Sequence, residues 1–376
     1  MMLIHLSNVF LDKIFPSSNN RLLGKQRRER LKKILEDIAE ASIRRKADAI
    51  LVAGNLLDER WITDDTVKWL INLFESLKPV KVFIAPGEAD CLCEESVYLY
   101  QTFPENVFIF TRPNWEVITD NELSLCVVGY GKHREGGYPE ALPTLSLSRD
   151  TNNVCLVHNL DFDVEEVFSK SNGLFSYVAL GNTLAEQKKE LPNGVMVCSS
   201  GATEQFDFSQ DGTPGFYCVH FELRDGIWKA SNIERLSTKG TTYREIKIDC
   251  SEFTDAGNLL HEVELLIREV PAPRIIKLKL EGNISLSVFD NVLLNIKEIA
   301  KECDDFSVEI NVNFVEVLEK SGVKLPLLVN EFYNIATQEI KYAPSEKISQ
   351  IIRRATYLVL SVQEGTRTML PFGIGE

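Results

Sequence analysis

Five short segments place polar side chains where apolar runs end: Ser7-Asn8-Val9-Phe10, Gly54-Asn55-Leu56-Leu57-Asp58, Gly87-Glu88-Ala89-Asp90, His158-Asn159 and Gly181-Asn182-Thr183-Leu184. Glu88, Asp90 and His158 are carboxylates and an imidazole, the donor types that hold an oxygen-preferring divalent cation such as Mg²⁺ or Mn²⁺, and Asn8 or Asn55 would add a neutral oxygen. A cation held there would activate a bound water. Other chemistries lack their residues. There is no Gly-x-Ser-x-Gly elbow for a serine nucleophile and no GxxxxGK[ST] phosphate loop. The Gly129–Gly137 loop that carries His133 reads as a surface or binding loop.

The elements that position these segments follow from hydrophobic periodicity. Residues 2–7, 47–53 and 80–85 read as buried strands. Leu31, Ile34, Leu35 and Ile38 mark a helix over 25–46, and Val67, Leu70, Ile71 and Phe74 mark one over 64–77. Further strands are expected at 107–110, 123–130, 153–158, 177–180, 194–198 and 215–223, many in hairpin-like order. The fold class is therefore α/β: a two-sheet sandwich flanked by helices, with polar residues at strand ends, where α/β folds place their sites. After a composition shift near Ser237–Gly240, a β-α-β-α-β pattern runs over 243–313. Two helices split by Pro344 follow, the second with an apolar stripe at Ile348, Ile351, Ile352, Ala355 and Leu358, and then a loose Gly365–Glu376 tail. The expected division is a core over 1–238, a small α/β domain over 239–325 and C-terminal helices over 326–376.

Bulk composition narrows the function classes. The 376 residues carry 41 basic and 55 acidic side chains, a net charge of −14, which opposes unaided binding to nucleic-acid phosphates. The segment 21–46 departs from this with ten basic and four acidic side chains. It reads either as a phosphate-contacting patch or as the solvated face of a helix, and no aromatics interleave for base stacking. No run is long enough to span a membrane, and the N-terminus reads as a strand with no secretory signature. The eight scattered cysteines have no zinc spacing, so they are expected to be reduced and mostly buried in a cytoplasmic protein.

The order and spacing of the five segments resemble the calcineurin-like metallophosphoesterase superfamily, and within it the SbcD-type double-strand-break-repair exonucleases. Those proteins read H-x-S-D-x-H-L, G-D-[LI]-x-D, G-N-H-D, H-[GN] and G-H-x-H, where this chain reads HLSNVFL, GNLLD, GEAD, VHN and GNTL. Cys198-Ser-Ser-Gly-Ala-Thr-Glu-Gln-Phe resembles the family's P-G-S-x-E-x-x-x-F stretch, and 243–313 resembles its capping domain. The match covers roughly residues 1–315.

The resemblance implies a two-metal site, and the residues depart from it. The first carboxylate ligand falls on Asn8 and the first histidine on Phe10. The bridging carboxylate falls on Asn55, the asparagine ligand on Glu88 and the leaving-group histidine on Ala89. The paired histidines fall on Asn182 and Leu184. Only His158 is retained among the ligands, while Asp58 and Asp90 match supporting positions. Two divalent ions bring four positive charges, which neutral amides, Phe10, Ala89 and Leu184 do not balance. The expectation is a catalytically degenerate nuclease homologue with no catalytic residues and no cofactor, acting as a binding or scaffold subunit. The implied partners are a coiled-coil repair ATPase, an active nuclease paralogue or a second copy of the chain. DNA would be reached only indirectly, and no membrane is involved. The alternative is an active metal-dependent phosphodiesterase or DNA exonuclease with Mn²⁺ or Mg²⁺ rebuilt on Glu88, Asp90 and His158. A vacant pocket reused for a small ligand is a third reading.

Overall fold

A computed structural model describes residues 1–15, 21–171, 173–210, 212–314 and 327–363. The chain divides into two compact units, Met1–Gly240 and Thr241–Glu376.

The first unit is built on two six-stranded sheets. Strands β1 (Met2–Leu6), β2 (Ala49–Val52), β3 (Lys81–Ile84) and β4 (Val107–Ile109) run parallel, and the long hairpin β11 (Gly215–Arg224)–β12 (Ile227–Ser237) joins antiparallel to β1. The second sheet has the order β5 (Glu116–Asp120), β6 (Leu125–Tyr130), β7 (Asn152–Val157), β8 (Tyr177–Leu180), β10 (Met196–Ser199), β9 (Gln187–Glu190).

Alternation along each strand makes the layers. Leu3, Leu51 and Phe83 of one sheet pack with Val127, Val154, Leu156 and Tyr177 of the other between the sheets. The opposite faces are covered separately. Ile4, Ile50, Val82 and Ile84 meet helices α1 (Arg21–Arg44) and α2 (Asp64–Ser76) through Leu31, Ile34, Leu70 and Phe74. Val128, Cys155, Val157 and Val178 meet Phe168 of the short α4 (Val164–Ser169), and a one-turn helix α3 (Val97–Tyr100) precedes β4. Thr63 caps α2 by accepting from Thr66 N–H, and Asp64 and Asp65 complement its N-terminal dipole.

The second sheet is not hairpin-rich, contrary to the sequence reading. β6, β7, β8 and β10 are mutually parallel, and only β5 and β9 pair antiparallel, at its edges. The long segments after β6 and β7 are the crossovers that parallel pairing demands. Strands β5, β9 and β12 carry no strong apolar signal: all four residues of β9, Gln187–Glu190, are exposed.

In the second unit, β13 (Thr242–Asp249), β14 (Arg274–Ile284) and β15 (Asp305–Phe314) form a parallel sheet in that order. One face packs on α5 (Ala256–Glu269) and α6 (Leu286–Ala300) through Leu259, Val263, Leu278, Phe289 and Val292. Helices α7 (Leu327–Lys341) and α8 (Glu346–Gln363) follow, and Tyr333 and Leu358 pack on the same core. The expected apolar stripe of α8 is split: Leu358 reaches that core, while Ile348 and Ile351 stay exposed. The Gly365–Glu376 tail lies outside the described residues. Among the described residues no helix is long and apolar enough to cross a membrane.

Candidate functional site

The ends of β1, β2, β3, β7 and β8 bring Asn8, Asn55, Ala89, Asp90 and His158 into one cluster. The turns after β1 and β2 are tight. Asn8, Phe10 and Asn55 take left-handed backbone conformations with φ of 56°, 53° and 55°. Asparagine tolerates that region and phenylalanine does not, so Phe10 sits at a cost of about 1–2 kcal/mol.

Hydrogen-bond partners fix the direction of both amides. Ala89 N–H needs an acceptor and finds Asn55 Oδ1 at 2.8 Å. The carbonyls of Gly181 and Thr183 need donors and find Asn8 Nδ2 at 2.8 and 3.0 Å. Asn55 Nδ2 then donates to Asn8 Oδ1 at 2.8 Å and to His158 Nε2 at 3.3 Å. The amide nitrogen thus bridges two acceptors, the task a cation would perform there. An aspartate at 55 would point a lone pair at both instead.

His158 completes the network. Its Nδ1 donates to the Ala53 carbonyl at 2.9 Å, which leaves Nε2 as acceptor and the ring neutral. Burial lowers its pKa, while the Ala53 carbonyl and the charges of Asp90 and Glu88 pull the other way. The ring is seated by missing side chains: a Cβ at Gly54 would lie 2.6 Å from His158 Nδ1, and one at Gly87 2.7 Å from Asn55 Oδ1. Tyr138 lies tilted across the ring at 6.2 Å between centroids.

Asp90 is fully buried and faces the backbone. Its carboxylate accepts from Asn55 N at 2.9 Å, Leu56 N at 2.8 Å, Gly87 N at 2.7 Å and the Tyr98 hydroxyl at 2.9 Å. That is a turn clamp, with its lone pairs spent. The same contact pushes the Tyr98 hydroxyl well above its usual range, first by burial and then by the Asp90 charge. Neither Tyr98 nor Tyr138 carries a sequence signal, because Tyr98 sits on the one-turn helix α3, too short to show a period, and Tyr138 on an irregular loop.

The other predicted positions disperse. Glu88 is exposed, and its charge adds to burial in raising the Tyr138 hydroxyl. Asn182 is exposed and reaches Asn159, at 3.3 Å, and Leu184 is 41% exposed. Phe10 joins a different group: it meets Phe206 edge-on at 5.1 Å, with Lys13 Nζ 4.9 Å above its ring. Asp58 is buried and paired with the exposed Arg60 at 3.1 Å. Among the described residues no three His, Cys, Asp or Glu side chains are grouped so as to hold a metal ion, so Glu88, Asp90 and His158 do not form a donor set. The cluster fits a divalent cation poorly, because the acceptors that face its centre, Asn8 Oδ1 and His158 Nε2, are already occupied by the Asn55 amide N–H groups.

The remaining candidates have structural partners. His5 lies between the sheets with Nδ1 2.9 Å from the Tyr177 hydroxyl and Nε2 3.1 Å from the Leu180 carbonyl, and burial lowers its pKa to about 3. Much of the basic 21–46 segment is paired. Arg27 bonds Glu204 at 3.2 Å in the interior, Arg45 bonds Glu234 at 2.6 Å, and Lys33 bonds Asp37 at 3.2 Å. No protein-family model matches the chain, and no curated protein matches it in sequence.

Proposed function

We propose that the chain is a catalytically degenerate relative of the SbcD-type exonucleases, a metallophosphoesterase-like protein that serves DNA repair as a binding or scaffold subunit. One observation carries the reading. At the strand ends of a two-sheet sandwich, where the motif order places two metal ligands, Asn8 and Asn55 form a hydrogen-bond network closed by His158. The left-handed backbones at Asn8, Phe10 and Asn55 support it, since strained turns cluster at functional sites and a site that lost its ligands would keep the turns that its fold requires. The rebuilt-metal alternative has less support, because Asp90 is spent on backbone amides and Glu88 lies in solvent.

The scaffold part of the reading draws on the second unit. On α7 and α8, Ile335, Ile348, Ile351 and Val359 are exposed while Ser349 and Thr356 turn inward. That inverted helix suits an amphipathic partner such as the coiled coil of a repair ATPase. The test is elemental analysis of purified protein together with a Mn²⁺-supplemented nuclease assay. The expected result is no stoichiometric metal and no cleavage above background. Stoichiometric Mn or Fe with cleavage lost in His158→Ala overturns the reading. Pull-down of a coiled-coil ATPase that Ile351→Glu abolishes is the result expected of a scaffold.

A further inference from the structure

The first sheet of the first unit ends in an open edge. In the order β12-β11-β1-β2-β3-β4 no strand lies outside β12, the longest edge strand of that unit at 11 residues. Its other edges are short: β4, β5 and β9 have three, five and four residues. In the second unit, Arg353 of α8 donates to the Val312 carbonyl on the edge strand β15 at 3.4 Å. A long unpaired row of N–H and C=O groups is a template for another strand.

One irregularity interrupts β12. His220 of β11 pairs with Asn232 and Phe221 with Ala230, so Ser231 is an extra residue, a β-bulge. A bulge shifts the alternation of side chains by one. Trp228 and Ala230 before it and Ile233 after it therefore all face the core between the sheets. Arg235 follows on that face, 5.3 Å from the Tyr217 ring. Ile227 and Lys229 before the bulge share the helix-facing side with Glu234 and Leu236 after it, where Leu236 packs on the helix-side core and Glu234 bonds Arg45.

This parity decides how β12 can meet its own copy. Two identical strands pair antiparallel about a two-fold axis, and residues set opposite must share a face. A regular strand meets that condition only where a residue faces itself. The bulged β12 meets it with the axis between Ser231 and Asn232. Ile227 then lies opposite Leu236, Trp228 opposite Arg235, Lys229 opposite Glu234 and Ala230 opposite Ile233. Each pair shares a face and is complementary: two apolar pairs, a cation over an indole ring and an ion pair. Lys229 is exposed with no ion-pair partner among the described residues, and the Glu234 side chain keeps 41% exposure beside Arg45. The bulge that would break register against a regular strand meets an identical bulge, two residues against two.

We propose that β12 is the interface of a homodimer, pairing antiparallel with β12 of a second copy to make one twelve-stranded sheet. Because β12 runs parallel to β1, the two strand-end clusters open at opposite ends of the joined sheet. The dimer stands whether or not those clusters descend from a metal site.

The full chain is measured by light scattering from about 1 µM to about 100 µM, with the dimer expected to predominate at the upper end. Lys229→Glu sets like charges opposite at two symmetry-related positions and should raise the dissociation constant by at least ~10-fold. Ile227→Glu should do the same by removing both Ile227–Leu236 contacts. Lys247→Glu, the same charge change on the edge strand β13 of the second unit, should leave the constant unchanged, with circular dichroism verifying each fold. In the wild type, amide hydrogen exchange over residues 228–235 should slow as the protein concentration rises. A monomer throughout the range overturns the proposal, as does a dimer that both β12 variants leave intact or that Lys247→Glu weakens. Exchange over β12 that does not change with concentration overturns it too.

Discussion

The strand-end cluster of the first unit and the outer sheet face of the second solve opposite problems with polar residues. In the cluster, water is excluded, and the chain uses neutral amides, a neutral imidazole and one carboxylate fully surrounded by donors. On the outer face of β13–β15, charges are left facing each other near water. Lys277 meets Glu309 at 2.7 Å and Lys279 meets Glu245 at 3.0 Å, between side chains that keep 13–32% of their exposure. Buried polar groups are costly to strand, and solvated ion pairs are cheap to lose. The comparison therefore predicts where the molecule tolerates change.

The largest effect is expected at Asp90. Asp90→Ala strands the Asn55, Leu56 and Gly87 amides and the Tyr98 hydroxyl, and should cost at least ~3 kcal/mol in urea unfolding. A loss under 1 kcal/mol would break the claim that this carboxylate clamps the turns.

Asn55→Asp comes next, at about 2 kcal/mol near neutral pH, because an anionic oxygen then opposes Asn8 Oδ1 and His158 Nε2. The variant should regain stability on mild acidification, as His158 takes up a proton facing the new carboxylate. An unchanged pH profile would show that the amide nitrogen is not the bridge.

In the wild type the pH dependence has the other sign. His5 and His158 both have lowered pKa values in the folded chain, so the unfolded chain binds more protons below about pH 6.5. Stability is complete above that pH and falls as the pH drops toward the folded values. With His5 lowered to about 3, its share of the loss by pH 5 is about 2 kcal/mol. Denaturation midpoints at pH 7 and pH 5, with His5→Asn as the control that flattens the slope, measure it.

The smallest effect is expected on the sheet face. A double-mutant cycle on Glu245 and Lys279 should give a coupling under about 1 kcal/mol that shrinks in 0.5 M salt. A larger, salt-insensitive coupling would erase the contrast between the two regions.

Much of the fold is legible in the residues. The apolar runs at 2–6, 49–52 and 81–84 and the amphipathic α2 announce themselves by period, as do the strands and helices of the second unit. The direction of pairing in the second sheet is not legible, because a buried parallel strand and a buried hairpin strand share the same apolar run. Strand β9 is invisible for the opposite reason: Gln187–Glu190 is an exposed, charged edge with no apolar residue to mark it. Of the cluster, the ends of the strands could be read, but Tyr98 and the ring-seating contacts of Gly54 and Gly87 could not.

The sequence by itself determined which side-chain donor atoms exist at the strand ends. No backbone arrangement gives the side chain of Phe10, Ala89 or Leu184 one, and no neighbour turns Asn8 or Asn55 into an anion. What only the tertiary structure decided is which way the two amides face and where Asp90 spends its charge. An asparagine presents an acceptor and a donor from one carbon, so its chemistry depends on its surroundings. Here the carbonyls of Gly181 and Thr183 in one turn and the amide of Ala89 in another make that choice.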